Sequence, residues 1–350
     1  MTKKAQTGKQ IANYARLSGF DLVGFSSAKI AGESYEYFKD WIEEGAYADM
    51  SYMSEKERVA KRKSAEFLMK NAKSVISLGI NYYHEQLPLK RGHGRVARYA
   101  FGRDYHKTLK GKLKKFEEFL RLNFGHLALG NSQIETLSYV DTGPLLERSF
   151  ASQAGLGFIG KNSCLITEEF GSWVLLCEVI TNLQIPKVTA RQVPVQAQSS
   201  STFKKSQTSL HCDGLHCGTC TLCIDSCPTH AITKKENGEY FIDANKCLSY
   251  WTIEHKGSAS EIPKQIRTAM KETKRFYGCD ICQEVCPHNC RAKKSTHDEF
   301  TKNSIAGDSQ NLQPLLAIKS DEKFLEKFAG SPVMRAKLKG LKRTAKIVRK

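Results

Sequence analysis

The chain has 350 residues, with 54 lysines and arginines against 36 aspartates and glutamates, which gives a formal net charge of +18. This length can bury one large domain together with one or two smaller modules. The longest apolar stretch, Trp173 to Ile180, is interrupted by Glu178 and is too short to span a bilayer, which excludes a transmembrane helix there. Because no apolar segment follows the lysine-rich N-terminus, the sequence predicts a cytoplasmic protein without a membrane partner.

Hydrophobic periodicity predicts helices and strands that alternate as far as about residue 185. A Thr-x-x-Gln capping box at Thr7 and Gln10 predicts where the first helix begins. The segments that follow are a strand (20–25), a helix (35–44), a mostly helical stretch (50–69), a strand (74–82), a long helix (107–121), a strand (134–140) and a hairpin (163–167 with 173–181). This alternation favours a mixed α/β domain over residues 1–190.

The composition changes after this domain. Residues 191–211 are rich in glutamine, serine, lysine and threonine, which predicts a linker. A cysteine-rich module follows at 212–290. Residues 291–350 are predicted to form a helical and basic C-terminal region.

The positive charge is concentrated in two segments. Ten lysines and arginines lie between Lys90 and Lys115, opposed only by Asp104, and eight lie in the last twenty residues without any acid. A solvated basic surface is the simplest alternative, but this concentration favours a nucleic acid as the partner.

Eight of the twelve cysteines have the spacing of iron–sulfur ligands. The first run reads Cys-x2-Cys-x2-Cys-x3-Cys-Pro and consists of Cys217, Cys220, Cys223 and Cys227. The second run lacks one internal cysteine, which Cys247 can supply from upstream, and consists of Cys279, Cys282 and Cys286. Two 4Fe-4S clusters need eight thiolates, so the sequence predicts a ferredoxin-like module with two clusters. Zinc and disulfides fit this spacing poorly.

The spacing also predicts which cysteine serves which cluster. In such motifs the fourth cysteine, just before proline, ligates the neighbouring cluster. The predicted ligands of cluster 1 are Cys217, Cys220, Cys223 and Cys286. The predicted ligands of cluster 2 are Cys227, Cys247, Cys279 and Cys282. Four cysteines remain: Cys164 and Cys177 are expected in the core, whereas Cys212 and Cys290 flank the runs, and a ligand exchange with either remains open.

Asp141 is the candidate catalytic acid. It follows an apolar strand, and a carboxyl group at the end of a strand can face a cleft, where partial burial would favour proton donation. Two structural alternatives stay open: Asp141 could cap a helix beginning near Pro144, and Glu147 could pair with Arg148. The glycines at 155, 157 and 160 are weak evidence for a phosphate loop, so we interpret them as a close approach of the backbone to a bulky cofactor.

Five blocks together resemble one family. They read RYAFGRDYH (98–106), DTGPLLER (141–148), AGLGFIGK (154–161), CLSYWTIE (247–254) and YGCDICQEVCP (277–287). In this order, and with the double cysteine run, the chain resembles the epoxyqueuosine reductases over nearly its whole length. The resemblance implies an α/β cobalamin-binding domain, a ferredoxin-like two-cluster iron–sulfur module and a helical C-terminal tail.

The resemblance also implies the chemistry. Members of that family reduce epoxyqueuosine to queuosine at the wobble position of tRNA, using cob(I)alamin and electrons relayed by two 4Fe-4S clusters. Asp141 matches the proton donor of the family. The positions that match cobalamin contacts are Asp141, Leu165, Leu176, Ser249, Cys279 and Asp280. Asp104 and His106 begin a D-x-H-x-x-G cobalamin motif, but Leu109 replaces its glycine, so a histidine-ligated cobalt is not expected.

The implied partners are the anticodon stem-loop of the tRNA, gripped by the C-terminal helices, and an external electron donor. We also expect a monomer. Two other functions fit part of the sequence, a reductive dehalogenase-like cobalamin and iron–sulfur reductase and a ferredoxin-type electron carrier. The dehalogenases usually carry an export signal, and an electron carrier has no need of Asp141 in a cleft.

Overall fold

The computed structural model describes residues 3–127, 133–186 and 216–349. The predicted linker and Cys212 lie outside the described residues. The α-helices are α1 (Lys3–Leu17), α2 (Gly32–Glu43), α3 (Lys56–Lys61), α4 (Tyr105–Phe124), α5 (Glu147–Gln153), α6 (Leu222–Asp225), α7 (Leu248–Ile253), α8 (Lys264–Thr273), α9 (Ile281–Glu284), α10 (Asp298–Thr301), α11 (Leu312–Ala317), α12 (Asp321–Phe328) and α13 (Lys337–Arg349). Within the described ranges, every helix is too short or too polar to cross a membrane.

The strands are short except at the centre of the first sheet. They are β1 (Leu22–Ser27), β2 (Ser74–Asn81), β3 (His93–Val96), β4 (Thr136–Tyr139), β5 (Phe158–Ile159), β6 (Leu165–Ile166), β7 (Val174–Thr181), β8 (Ile232–Lys234), β9 (Tyr240–Ile242), β10 (Arg275–Tyr277) and β11 (Ser309–Asn311). Short 3-10 turns lie at Ser51–Met53 and Ala65–Phe67.

A four-stranded antiparallel sheet forms the frame of the N-terminal half, in the order β1-β2-β7-β4. Every residue of β2 is buried, because the sheet is covered on both faces. The apolar faces of α1 and α4 cover one side, and Phe150 of α5 belongs to the core on the other. The two faces together bury the sheet, and β4 carries the chain towards Asp141 at its end.

A second, three-stranded sheet joins distant segments in the order β10-β3-β11. β3 pairs in parallel with β10 and antiparallel with β11. The helices α8, α11 and α13 pack around this sheet in one apolar core. Strands from the N-terminal half, the cysteine-rich module and the C-terminal region therefore share a sheet, while the predicted domain boundaries stay a prediction.

Three expectations about the elements are corrected. α1 begins at Lys3, so that Thr7 lies inside the helix and is buried, and the capping box does not mark its start. The stretch at 50–69 is helical only in α3 and two short turns. The predicted hairpin is wrong. β6 pairs with β5, whereas β7 lies between β2 and β4, where nearly all of its residues are buried.

Candidate active site

The four cysteines predicted for cluster 1 line one cavity. Cys217 and Cys220 precede α6, Cys223 lies within it and Cys286 follows α9, the helix against which α6 packs. Burial raises the pKa of Cys223 and Cys286 to about 11. Binding iron as thiolates would therefore require these cysteines to release protons. The cavity thus combines three cysteines of the first run with the last cysteine of the second, although the ligand set stays a prediction.

The other four predicted ligands are also neighbours. Cys247 precedes α7 and feels the charge of Cys227, while Cys279 and Cys282 feel the charge of Cys247. Burial raises the pKa of Cys247, of Cys282 and, to about 12, of Cys279. Within the described parts of the chain, no three His, Cys, Asp or Glu side chains are arranged to hold a single metal ion. In a cubane, by contrast, four thiolates bind four different iron atoms.

The remaining described cysteines differ in their surroundings. Cys177 is fully buried in β7, as expected for a core residue. Cys164 is only half-buried and lies close enough to Cys223, Cys282 and Cys286 to feel their charge. Cys290 is exposed. Cys164 therefore belongs to the surroundings of the two cysteine sets and not to the apolar core.

The glycine-rich block forms the β5–β6 hairpin, which packs against the cysteine-rich module. A Cβ atom at position 157 would lie 2.2 Å from the carbonyl oxygen of Ile166, so that only glycine fits there. The backbone N–H of Lys161 points at the sulfur of Cys217 at 3.4 Å. Its Nζ donates to the carbonyls of Gly218 and Cys220, each at 2.9 Å. The glycines thus serve the close packing of the hairpin, and Lys161 contacts the first cysteine loop.

Asn162 extends this contact to the second cysteine run. The side chain is buried, and its Nδ2 donates to the carbonyl of Cys282 at 3.3 Å. Its Oδ1 accepts the N–H of Cys164. The hairpin therefore contacts both cysteine runs at once, which the glycine spacing alone did not reveal.

Arg98 anchors the second run to the N-terminal half. Its backbone N–H donates to Oδ2 of Asp280 at 2.8 Å, and its guanidinium pairs with Glu284 at 2.9 Å. The guanidinium also lies over the ring of Trp173, 4.7 Å from the centroid. Burial raises the pKa of Asp280, although Arg98 opposes this effect. Oδ2 of Asp280, a predicted cobalamin contact, thus accepts hydrogen bonds from Arg98.

The other predicted cobalamin contacts fall into two groups. Leu165 and Leu176 pack in the same small apolar cluster, with Leu156. Ser249, in the first turn of α7, hydrogen bonds the thiol of Cys247, which is a neighbour of Cys279. Each group thus has a clear local structure, and their common role as cofactor contacts stays a prediction.

Asp141 lies at the apex of a tight turn at the end of β4. The N–H of Thr142 donates to the carbonyl of Val140 at 2.6 Å, and Asp141 has φ = +58°. Such a backbone is rare for a residue other than glycine and is strained. The turn directs the carboxylate outwards, and the side chain is 62% exposed, so the expected partial burial is absent.

One residue of α4 hydrogen bonds this carboxylate, and the next residue lies near it. The hydroxyl of Tyr105 donates to Oδ2 of Asp141 at 2.7 Å, and Nε2 of His106 lies 3.7 Å from the same oxygen. The other ring nitrogen of His106 lies 2.8 Å from Asp104, whose side chain also caps α4. Asp104 therefore caps α4 and contacts the ring of His106, which lies beside Asp141.

Both structural alternatives for this segment are wrong. α5 begins at Glu147 with Leu146 as its N-cap and no side-chain cap, so Asp141 does not cap it. Arg148 donates to the carbonyl of Ser163 and forms no ion pair with Glu147 in the described structure. Glu147 instead accepts the backbone N–H of Asp141 at 2.8 Å.

The C-terminal region borders the Asp141 site. Tyr52 feels the charges of Asp141 and Glu254 and hydrogen bonds Arg335, and burial raises its pKa. Arg335 forms a bidentate ion pair with Glu254: Nε donates to Oε1 at 2.9 Å and Nη2 donates to Oε2 at 2.7 Å. The guanidinium of Arg58 donates a hydrogen bond to the carbonyl of Thr142, the residue after Asp141. The exposed carboxylate thus has basic residues near it, Arg58 at its own turn and Arg335 beyond Tyr52.

Sequence reasoning missed several residues of this site. The only sequence signal for Tyr105 is its place in a block similar to the family, and that block does not reveal its contact with Asp141. Lys161 directly follows the glycines, and their spacing does not reveal its contact with the first cysteine loop. Glu178 is fully buried in β7. A single acid within an otherwise apolar strand was the available signal, because such a residue must have a partner inside the fold.

The fold and these sites define an iron–sulfur redox protein with an exposed acid beside the cluster module. Residues 216–289 match a family described as 4Fe-4S double cluster binding domain. Residues 62–142 match a family described as epoxyqueuosine reductase QueG, DUF1730. The epoxyqueuosine reductase of Leadbetterella byssophila is 35% identical over 97% of this chain and 98% of its own length. The chain belongs to the epoxyqueuosine reductase family.

Two solved structures support this conclusion. Epoxyqueuosine reductase from Bacillus subtilis, with a catalytic aspartate loop swung out of the active site, superposes with a TM-score of 0.79 at 28% identity, covering 99% of this chain and 82% of that one. An epoxyqueuosine reductase with an epoxyqueuosine-modified stem loop of tRNA-Tyr gives a TM-score of 0.78 at 29% identity, covering 99% and 81%.

Proposed function

We propose that this chain reduces epoxyqueuosine to queuosine in tRNA, with cobalamin and two 4Fe-4S clusters as cofactors. The observation that carries the proposal is the exposed carboxylate of Asp141, which accepts a hydrogen bond from Tyr105 at the end of β4, near residues of the C-terminal region. The family membership supports the reaction, and it does not favour the dehalogenase or the electron carrier.

The residues fit the proposed cofactors. Two sets of four neighbouring cysteines offer the soft sulfur donors that iron–sulfur clusters require. The apolar pair of Leu165 and Leu176 would contact one face of a corrin, and Ser249 with Cys279 would lie towards the second cluster. Bound cobalamin would supply a low-valent nucleophilic metal centre, and the clusters would supply its electrons.

The chain itself contributes acid catalysis. Converting the epoxide to an alkene with loss of its oxygen as water consumes two electrons and two protons. Asp141 would donate a proton to the epoxide oxygen, and its exposed carboxylate can take up a new proton from water. Tyr105 would hold the carboxyl group in place through its hydrogen bond. In the Bacillus subtilis relative, a loop with a catalytic aspartate is swung out of the active site.

The basic C-terminal region would bind the anticodon stem-loop. Lys337, Lys339, Lys346 and Arg349 are exposed on α13, where they can contact phosphates. Arg343 is different, because it is buried and donates to the carbonyls of Trp251, His255 and Gly257. We propose that the exposed residues bind RNA and that Arg343 holds α13 in place.

The proposal also covers the location of the enzyme, its oligomeric state and its domain division. The enzyme would act in the cytoplasm as a monomer, take electrons from an external donor and need no membrane. We propose the division into an N-terminal domain (1–190), a linker (191–211), a cluster module (212–290) and a C-terminal RNA-binding region (291–350).

Nucleoside analysis tests the proposal. Anaerobically reconstituted protein is incubated with a reductant and tRNA that carries epoxyqueuosine, with cobalamin added or withheld, and digested nucleosides are measured by mass spectrometry. We expect queuosine only with cobalamin and about eight irons per chain. Equal conversion without cobalamin, or no conversion by fully loaded protein, would refute the proposed reaction.

A further inference from the structure

A buried carboxyl group lies in the middle of β7. Glu178 is 0% exposed. Among the described residues, no N–H group and no hydroxyl donates a hydrogen bond to either of its carboxyl oxygens. Its side chain faces the carboxyl group of Glu147, in the first turn of α5. A buried carboxylate without a donor is strongly unfavourable, so the two groups are expected to share a proton.

The surroundings strengthen this expectation. Burial raises the pKa of both Glu147 and Glu178 above the ordinary value of a glutamate, and the charge of Asp141 adds to both shifts. Arg148 opposes the shift of Glu147 only in part. The charged and titratable groups facing the pair are Asp141, Tyr105, Cys177, Arg62 and Arg148. The burial of Glu178 without a donor and the raised pKa of both groups favour a proton shared by the pair.

Glu147 also connects this pair to the candidate acid. Its Oε1 accepts the backbone N–H of Asp141 at 2.8 Å. The left-handed backbone of Asp141 persists only if its surroundings fix it, and this hydrogen bond is one of the contacts that do so. Two ionised carboxylates would repel each other, and the repulsion would displace Glu147 from Asp141. A shared proton thus keeps the acceptor in position.

We propose that Glu147 and Glu178 form a proton-sharing clamp that positions the Asp141 turn, with both acting as positioning residues for the reaction. The proposal rests on the proposed function for the role of Asp141, but the clamp itself can be measured without substrate. Asp141 touches the substrate in this scheme, while Glu147 acts through the backbone of Asp141 and Glu178 acts through Glu147.

Hydrogen exchange tests the clamp directly. The variants are Glu147→Ala, which removes the acceptor, Glu178→Leu, which removes the proton partner with an apolar side chain, and Glu178→Gln, which restores an N–H donor towards Glu147. Glu33→Gln, at an exposed position of α2, is the matched control. Exchange of the peptide containing Asp141 should accelerate in Glu147→Ala and Glu178→Leu, and Glu178→Gln should restore protection. Unchanged exchange in Glu147→Ala, or equal exchange in both Glu178 variants, would overturn the clamp.

Infrared spectroscopy provides a second measurement. A protonated buried carboxyl absorbs at a frequency that carboxylates lack, so this band should be present at neutral pH and lost in Glu178→Leu, but unaffected by Glu33→Gln. Absence of the band from a folded wild-type protein would contradict proton sharing, whatever the activity.

Kinetics then link the clamp to the reaction. Misplacing the acid in Glu147→Ala should lower kcat by about 10²-fold with a small change in the KM for tRNA. Glu178→Gln should be faster than Glu178→Leu. If wild-type protein gives no queuosine, the proposed function fails while the exchange and infrared results still decide on the clamp. If the wild type is active and Glu147→Ala has an unchanged kcat, the positioning role is wrong.

Discussion

The cysteine-rich module and the Asp141 site differ in how their residues are brought together. Cys217, Cys220 and Cys223 are close in sequence, and one short loop with α6 is enough to place them on one cavity. Asp141 instead depends on Tyr105 from α4 and Glu147 from α5. A metal-binding loop is therefore largely a local property of the sequence, whereas the acid depends on how separate elements of the domain pack.

The largest effect is expected from replacing a predicted cluster ligand, compared with replacing a cysteine outside the predicted sets. Cys279→Ala should remove about four irons and abolish turnover, because the proposed electron path is interrupted. Cys290→Ala is the matched control, since this cysteine lies close in sequence but is exposed. Iron content, electron paramagnetic resonance and nucleoside analysis measure the outcome. Full iron content in Cys279→Ala, or an equal loss in Cys290→Ala, would show that the assignment is wrong.

Asp141→Asn should have the next largest effect and acts on the other site. The amide cannot donate a carboxylic proton, so turnover should fall by about 10²–10⁴-fold. Iron and bound cobalamin should stay at the wild-type level, because Asp141 is not among the predicted cluster ligands and asparagine has nearly the same shape as aspartate. Single-turnover rates with tRNA check this result. A rate near that of the wild type would exclude Asp141 as the proton donor.

Tyr105→Phe should be weaker, because it removes one hydrogen bond to the acid and leaves the ring in place. The hydroxyl donates to Asp141 at 2.7 Å, and a hydrogen bond to a charged group contributes about 1.5–3 kcal/mol, or roughly 10–100-fold in rate. The matched variant is Tyr14→Phe, whose ring stacks on Phe119 of α4 away from Asp141. Equal rates in the two variants would indicate that Tyr105 serves only packing.

This difference explains what the sequence could predict. The cysteine spacing predicted eight ligands in two sets, and the four of the first set line one cavity. Periodicity located β2 and α4 because their apolar residues are regular. The order of the central sheet was not predictable in this way, since β7 pairs with strands far away in sequence. The partners of Asp141 were missed for the same reason. Glu178 was visible only as an exception within an apolar strand.

Salt dependence of RNA binding should show a smaller effect. Each lysine or arginine on a phosphate adds to the slope of log affinity against log salt, so replacing both Lys346 and Arg349 by alanine should reduce its magnitude by about 2. Lys234→Ala, at an exposed position of β8, is the control. Binding is measured by fluorescence anisotropy with an anticodon stem-loop at several salt concentrations. An unchanged slope would show that these two residues of α13 do not contact phosphate.

The smallest expected effect is a change in the reduction potential of cluster 1 when Lys161 is replaced. This residue follows β5 and connects the β5–β6 hairpin to the first cysteine loop. Lys161 donates to the carbonyls of Gly218 and Cys220, and its positive charge lies beside the first cysteine loop. Positive charge and hydrogen bonds near a cluster favour its reduced form, so Lys161→Met should lower the reduction potential of cluster 1. Lys161→Arg should keep the charge and most of the potential. A redox titration followed by electron paramagnetic resonance measures the shift without any substrate. If Lys161→Met and Lys161→Arg both have the reduction potential of the wild type, the lysine only packs the hairpin against the loop. Its charge then has no influence on the cluster.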